Sequence, residues 1–151
     1  MVRRWLAVVF SPTLAITQAA VLVCLTMSGC SGRAPAEPEV KARLTKLLRL
    51  YQVYVEKNKQ GPATEAALRE FGQKLSPKER DEYLLGDDLD NIFTSPRDQQ
   101  KYVVVYNLVL NPGQVRAVAW EATNHGGMRF VALSVGYVEE YDDETFLQYK
   151  K

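Results

Sequence analysis

Few residues in this chain can do chemistry. Among 151 residues there is one histidine, His125, and two cysteines, Cys24 and Cys30. A lone imidazole cannot build a multi-histidine metal centre, and the chain has no Gly-x-Ser-x-Gly elbow, phosphate loop or His-Glu-x-x-His helix. His125 sits between Asn124 and the pair Gly126-Gly127, a setting that reads as a turn it caps; a catalytic role would require Ser134 or Asp142 as partner. Asp87, Asp88, Asp90 and Asp98 offer the hard oxygen ligands that Ca²⁺ prefers. Their spacing fails the EF-loop pattern, with Ile92 where a ligand is needed, so a solvated acidic loop over Asp87–Asp90 is the expectation. Glu121, Glu139 and Glu140 are raw material for a glycosidase-type carboxylate pair, but short strands of a small sheet offer no evident cleft. The expectation is a chain without catalytic residues, metal or cofactor, and therefore not an enzyme.

Cys30 is the exception. Met1-Val2-Arg3-Arg4 is a short basic start without acidic residues, and a mostly apolar stretch runs from Trp5 to Met27. Its cleanest part, Leu14 to Met27, has the length of a signal-peptide core and is shorter than the roughly 20 residues a spanning helix needs. The run ends in Met27-Ser28-Gly29-Cys30, which resembles the lipobox of bacterial lipoproteins, with Met27 in place of the more usual Leu. The resemblance implies export, a lipid (diacylglycerol, with palmitate-type acyl chains) on the thiol of Cys30, and cleavage just before it. Residues 1–29 would then be a signal peptide, and two lipid attachments suffice for stable anchoring. Ser31 resembles the signal for outer-membrane rather than inner-membrane sorting. Cys24 would leave with the signal, so the exported domain would have no disulfide and would rely on its core.

From Cys30 onward 122 residues remain, one domain by size. Losing Arg3 and Arg4 leaves 17 basic against 18 acidic residues, a net charge of −1, with the signs interspersed. No basic face results, so nucleic acid and anionic lipid are not expected partners of the folded part.

Residues 30–38 read as a lipidated tether rich in small residues and proline. The domain is expected over 39–151, with helices over 39–86, a sheet over 100–141 and a C-terminal helix over 142–150. Val40, Leu44, Leu47, Leu48, Tyr51, Tyr54 and Val55 recur at helical spacing, predicting an amphipathic helix from Glu39 to about Asn58 that packs on a sheet rather than a membrane surface. A second helix is predicted over Ala63–Lys74, with Ala67, Leu68, Phe71 and Leu75 inward. Ser76-Pro77-Lys78-Glu79 is a capping box that starts a third, running to about Leu85. Lys101 to Leu110 is apolar on both faces and predicts a central strand. Strands over Val115–Ala122, Met128–Ser134 and Tyr137–Tyr141 follow, joined by turns short enough for antiparallel pairing. Helices followed by a meander give an α+β fold. Most of Tyr102, Tyr106, Trp120, Phe130, Tyr137 and Tyr141 are expected in the core, Tyr137 and Tyr141 being the ones placed near an edge.

The stretch from Asn124 to Glu140 resembles the H-x9-DG tail of bacterial prepilin-like, pseudopilin-type proteins, with nine residues between His125 and the pair Val135-Gly136, where Val135 fills the acidic position. Asn91-Ile92-Phe93-Thr94-Ser95-Pro96-Arg97-Asp98 followed by Tyr102-Val103-Val104 is similar to the strand entry of the same group. The resemblance implies the helix-plus-sheet fold and a turn built by Asn124, His125, Gly126, Gly127 and Gly136. Val135 stands where the family has Asp, and Tyr137 where it often has His. The chain also carries a lipobox in place of the prepilin cleavage site. The reading that follows is a membrane-anchored envelope module that binds a protein partner or supports an assembly. A small envelope hydrolase using acidic residues or His125 is the alternative.

Overall fold

The computed structural model describes residues 37–109 and 113–150. The expected signal peptide, Cys30, most of the expected tether and residues 110–112, where a turn is expected, lie outside the described residues. No described helix is long and apolar enough to cross a membrane.

α1 spans Glu37–Asn58, α2 Glu65–Lys74 and α3 Pro77–Glu82; a 3₁₀ turn covers Asn91–Phe93. The strands are β1 Val103–Val104, β2 Ala117–Trp120, β3 Met128–Leu133 and β4 Val138–Asp142, and α4 follows over Asp143–Tyr149. The sheet is antiparallel in the order β1-β2-β3-β4. The chain is therefore an α+β fold, as its pattern of elements predicts.

α1 starts two residues before the expected point, because Glu37 and Glu39 favour the positive end of the helix and proline is tolerated in the first turn. Val40, Leu44, Leu47, Leu48 and Tyr51 are buried in the core that the helix shares with the sheet. Leu50 approaches α2 so closely that a Cβ on Gly72 would lie 3.3 Å from its methyls. The Thr64 side chain accepts from the Ala67 amide and opens α2. Ser76 and Glu79 close the expected capping box reciprocally, and α3 ends at Glu82, three residues short of the prediction. Leu68 in α2 and Leu75 just after it are buried, whereas Ala67 and Phe71 stay half-buried, Phe71 meeting Tyr54 edge-on at 5.1 Å.

The segment 101–110 departs from expectation. It is neither central nor a full strand: β1 has two residues and lies at the sheet edge. Asn107 turns the backbone to φ 55°, and its N–H donates to Pro62 O at 2.9 Å. Gly61 N–H in turn donates to Leu108 O at 3.2 Å, so the segment leaves the sheet to seal the α1–α2 connection. It is apolar on both sides because it lies between two clusters. Tyr102, Val104 and Leu108 join the α1 core, and Val105 touches both that core and a second cluster.

The second cluster, Ala117, Trp120, Val131, Leu133 and Phe146, occupies the other sheet face under α4. A register shift in β2 between Ala117 and Ala119 decides which residues go there. Such a bulge sends two successive residues to one side, and Val118 and Ala119 both join the α1 core. Trp120 is thereby directed to the α4 face, and the following residue, Glu121, to the interior beneath the α1 side.

Candidate functional site

Glu121 is completely buried. Ser95 Oγ–H donates to its Oε1 at 3.0 Å and the Phe130 N–H to its Oε2 at 3.0 Å. Arg97 Nη1 stands 3.6 Å from Glu121 Oε2 and also 3.6 Å from Glu140 Oε1. The guanidinium lies over the Phe130 ring, 5.3 Å from its centroid. A buried carboxylate is tolerable only when its lone pairs are met and its charge is balanced; here a hydroxyl, a backbone amide and a guanidinium do both.

The loop over 94–100 is shaped to deliver these groups. Ser95 N–H donates to Gln100 O at 2.8 Å and Gln99 N–H to Ser95 O at 2.9 Å, with Gln99 at φ 60°. Asp98 Oδ1 accepts from the Gln100 amide, and Ser95 Oγ accepts from the Arg97 amide. The loop is tied to α1 as well: Arg43 Nη1 donates to Thr94 O at 3.4 Å, and Tyr102 Oη–H donates to Val40 O at 3.3 Å. Burial, with the nearby Glu121 carboxylate second, holds the Tyr102 phenol above its ordinary range.

Asn124, His125, Gly126 and Gly127 form the β2–β3 turn. His125 and Met128 exchange backbone hydrogen bonds of 2.7 and 3.2 Å, and Gly126 and Gly127 take φ of 66° and 85°. Two left-handed residues in a two-residue hairpin loop follow the strand twist, and glycine supplies them without steric cost. Asn124 Nδ2 donates to Asp143 Oδ2 at 2.7 Å. Gly136, at φ 99°, belongs to the β3–β4 turn at the opposite end of the sheet, where Gln52 Nε2 donates to Ser134 O.

His125 meets neither of the partners expected for a catalytic role. Ser134 is held by Arg116 and Gln114 at the far end, and Asp142 caps α4 through the Thr145 amide. Its neighbour is Asp98, Nε2 to Oδ2 at 3.5 Å, and both atoms are buried without a hydrogen bond. At that distance the contact is an ion pair only when the imidazole is protonated. Asp87, Asp88 and Asp90 lie exposed in one loop, where Asp90 pairs with Arg69 at 2.7 Å and Asp88 binds Asn91, while Asp98 lies apart and faces His125. Among the described residues no group of three or more His, Cys, Asp or Glu side chains could hold a metal ion. Glu121 and Glu140 do converge, on Arg97, while Glu139 accepts from the Tyr141 hydroxyl. Burial, with that bond second, pushes the Tyr141 phenol up to about 12. Of the aromatic set, Tyr102, Trp120 and Phe130 are buried, and Tyr137 is 64% exposed.

Ser95 and Arg97 are the members that the sequence reading did not join to Glu121. The available signal was Glu121 itself, an acidic residue directly following buried-type strand residues, which demands a donor set. Chemically the cluster is a lock. It pins the 94–100 loop to the β2–β3 hairpin, and its one hydroxyl is buried and donated to Glu121. No protein-family model matches the chain, and no match to it emerges among curated proteins or among solved structures.

Proposed function

We propose that this chain is an exported lipoprotein of the bacterial cell envelope, anchored through a lipid on Cys30, whose α+β domain is a non-enzymatic binding or assembly module with a pseudopilin-like sheet. The observation that carries the non-enzymatic part is the Ser95–Glu121 hydrogen bond: the nucleophile nearest the chain's buried carboxylate is itself buried and already committed. The Met27-Ser28-Gly29-Cys30 motif supports the anchor, with Ser31 favouring the outer membrane.

Seven residue steps separate Cys30 from the start of α1 at Glu37, a reach of at most about 25 Å. α1 begins at the end of the sheet that holds the Glu121 cluster and the His125 turn. The opposite end exposes Val115, Val135 and Tyr137. On this reading the locked end faces the membrane, and the apolar end is presented to a protein partner in the envelope.

The test compares two variants in cells. Cys30→Ala mislocalises the protein, whereas His125→Ala leaves location, folding and every phenotype intact. Loss of an activity in His125→Ala alone, with normal folding and location, would overturn the non-enzymatic assignment in favour of a small hydrolase using His125 or the acidic residues.

A further inference from the structure

We propose that the cleft between α4 and the β1 edge of the sheet binds a small monocarboxylate with an apolar or aromatic body. The cleft has a volume of about 480 Å³. Its floor is the buried pair Trp120 and Phe146, ring centroids 5.1 Å apart, and its lips are Val103 and Leu147, 39% and 55% exposed. Small-molecule sites of roughly 300–1,000 Å³ combine such apolar walls with a few polar groups that fix orientation.

Charge selects the ligand. Two cations overlook the floor, Arg129 and Lys150. Arg129 is spent: Nε and Nη2 donate to Asp143 Oδ1 at 3.0 and 2.7 Å, and Nη1 donates to Glu121 O at 3.2 Å. Lys150 Nζ stands 5.8 Å from the centroids of both Trp120 and Phe146 and makes no ion pair among the described residues. The rings hold the ammonium over the floor through their negative faces, so an entering anion finds a positioned charge that no described residue pairs with. A neutral ligand gains only the floor, and a second negative charge would meet Asp143. One carboxylate on an apolar body fits both constraints. The competing account is that the lysine stem merely shields Trp120 from water.

The two accounts separate in a binding experiment on the membrane-extracted protein expressed with Trp5→Phe and held in a phosphatidylcholine nanodisc, where Trp120 is the only indole whether or not residues 1–29 are retained. The probes are 3-phenylpropionate and its neutral amide. Phenylpropionate is expected to change Trp120 emission saturably, and the amide to bind on the order of tenfold more weakly, as loss of one charge-assisted hydrogen bond implies. Lys150→Met should weaken the acid by a similar factor and leave the amide unchanged. Should that variant melt early, Leu147→Glu, which sets a repelling carboxylate on the lip, carries the same expectation. The proposal is overturned if emission does not saturate, if acid and amide bind alike, or if the folded variant keeps the parent's affinity for the acid.

Discussion

Replacing Glu121 by Gln changes one oxygen to an amide nitrogen and removes one charge from the interior. The native carboxylate accepts from Ser95 Oγ and from the Phe130 amide, each at 3.0 Å, and lies 3.6 Å from Arg97. A Gln carbonyl can accept from only one side, so its NH₂ faces either the Ser95 hydroxyl or the Phe130 N–H. The hydroxyl can rotate and accept; the amide N–H cannot. If the NH₂ faces Ser95, what is lost is mainly the attraction to Arg97, whose second carboxylate, Glu140, remains. Leaving one buried donor unmet costs about 1–3 kcal/mol, and breaking a buried ion pair about 3–5 kcal/mol when no other counter-charge is present. With Glu140 still in place, a loss of about 2–3 kcal/mol is expected for Glu121→Gln. Glu121→Ala should exceed it, because both donors then lose their acceptor, the guanidinium keeps only Glu140, and a cavity opens. Urea unfolding followed by circular dichroism reads both variants, and the slope with denaturant should not change. If Glu121→Gln lies within about 0.5 kcal/mol of the parent, as surface substitutions do, the lock does not stabilise the fold and the reasoning fails.

Gly61→Ala should destabilise by about 1–3 kcal/mol or more, since the new Cβ would lie 2.6 Å from Tyr51 Oη and 2.8 Å from the Leu108 backbone nitrogen; a melting curve measures it. His125→Ala is expected to fold and to keep the 123–128 hairpin, because the turn is held by backbone bonds and two glycines, and a near-native melting temperature checks this. Acid should weaken the α1–α3 contact in a defined window. Lys57 and the Ser76 cap hold the Glu79 carboxyl down at about 2, so its contribution is present above the ordinary value of 4.5 and lost as pH falls toward about 2. Glu79→Gln should flatten that part of a melting-temperature profile against pH, and an unchanged profile would contradict the assignment.

The sequence is most readable where one periodicity governs a segment. The apolar stripe of α1, the Ser76–Glu79 capping box and the Gly126-Gly127 hairpin each rest on neighbours a few residues apart, and each forms as its local chemistry predicts. The segment 101–110 misleads because apolarity on both sides signals burial on both sides, not a central position in a sheet. Its pairing is decided instead by Asn107 and by the backbone of Gly61 and Pro62, some 45 residues earlier. The Glu121 cluster was legible only in part. The β2 bulge sets which way Glu121 points, and strand alternation alone, counted from Ala117, would send it to the α4 face. Its partners Ser95 and Arg97 come from a loop whose placement depends on α1 through Arg43 and Tyr102, contacts that span 51 and 62 residues.

The anchor is the claim on which the proposed role rests, and intact-mass measurement of the protein extracted from its native membranes tests it most directly. Lipidation at Cys30 predicts a chain that begins at Cys30 and carries a diacylglyceryl group and an acyl chain, with no species retaining Met1–Gly29. A membrane-bound protein of unmodified mass, or one cut elsewhere with Cys30 free, would contradict it.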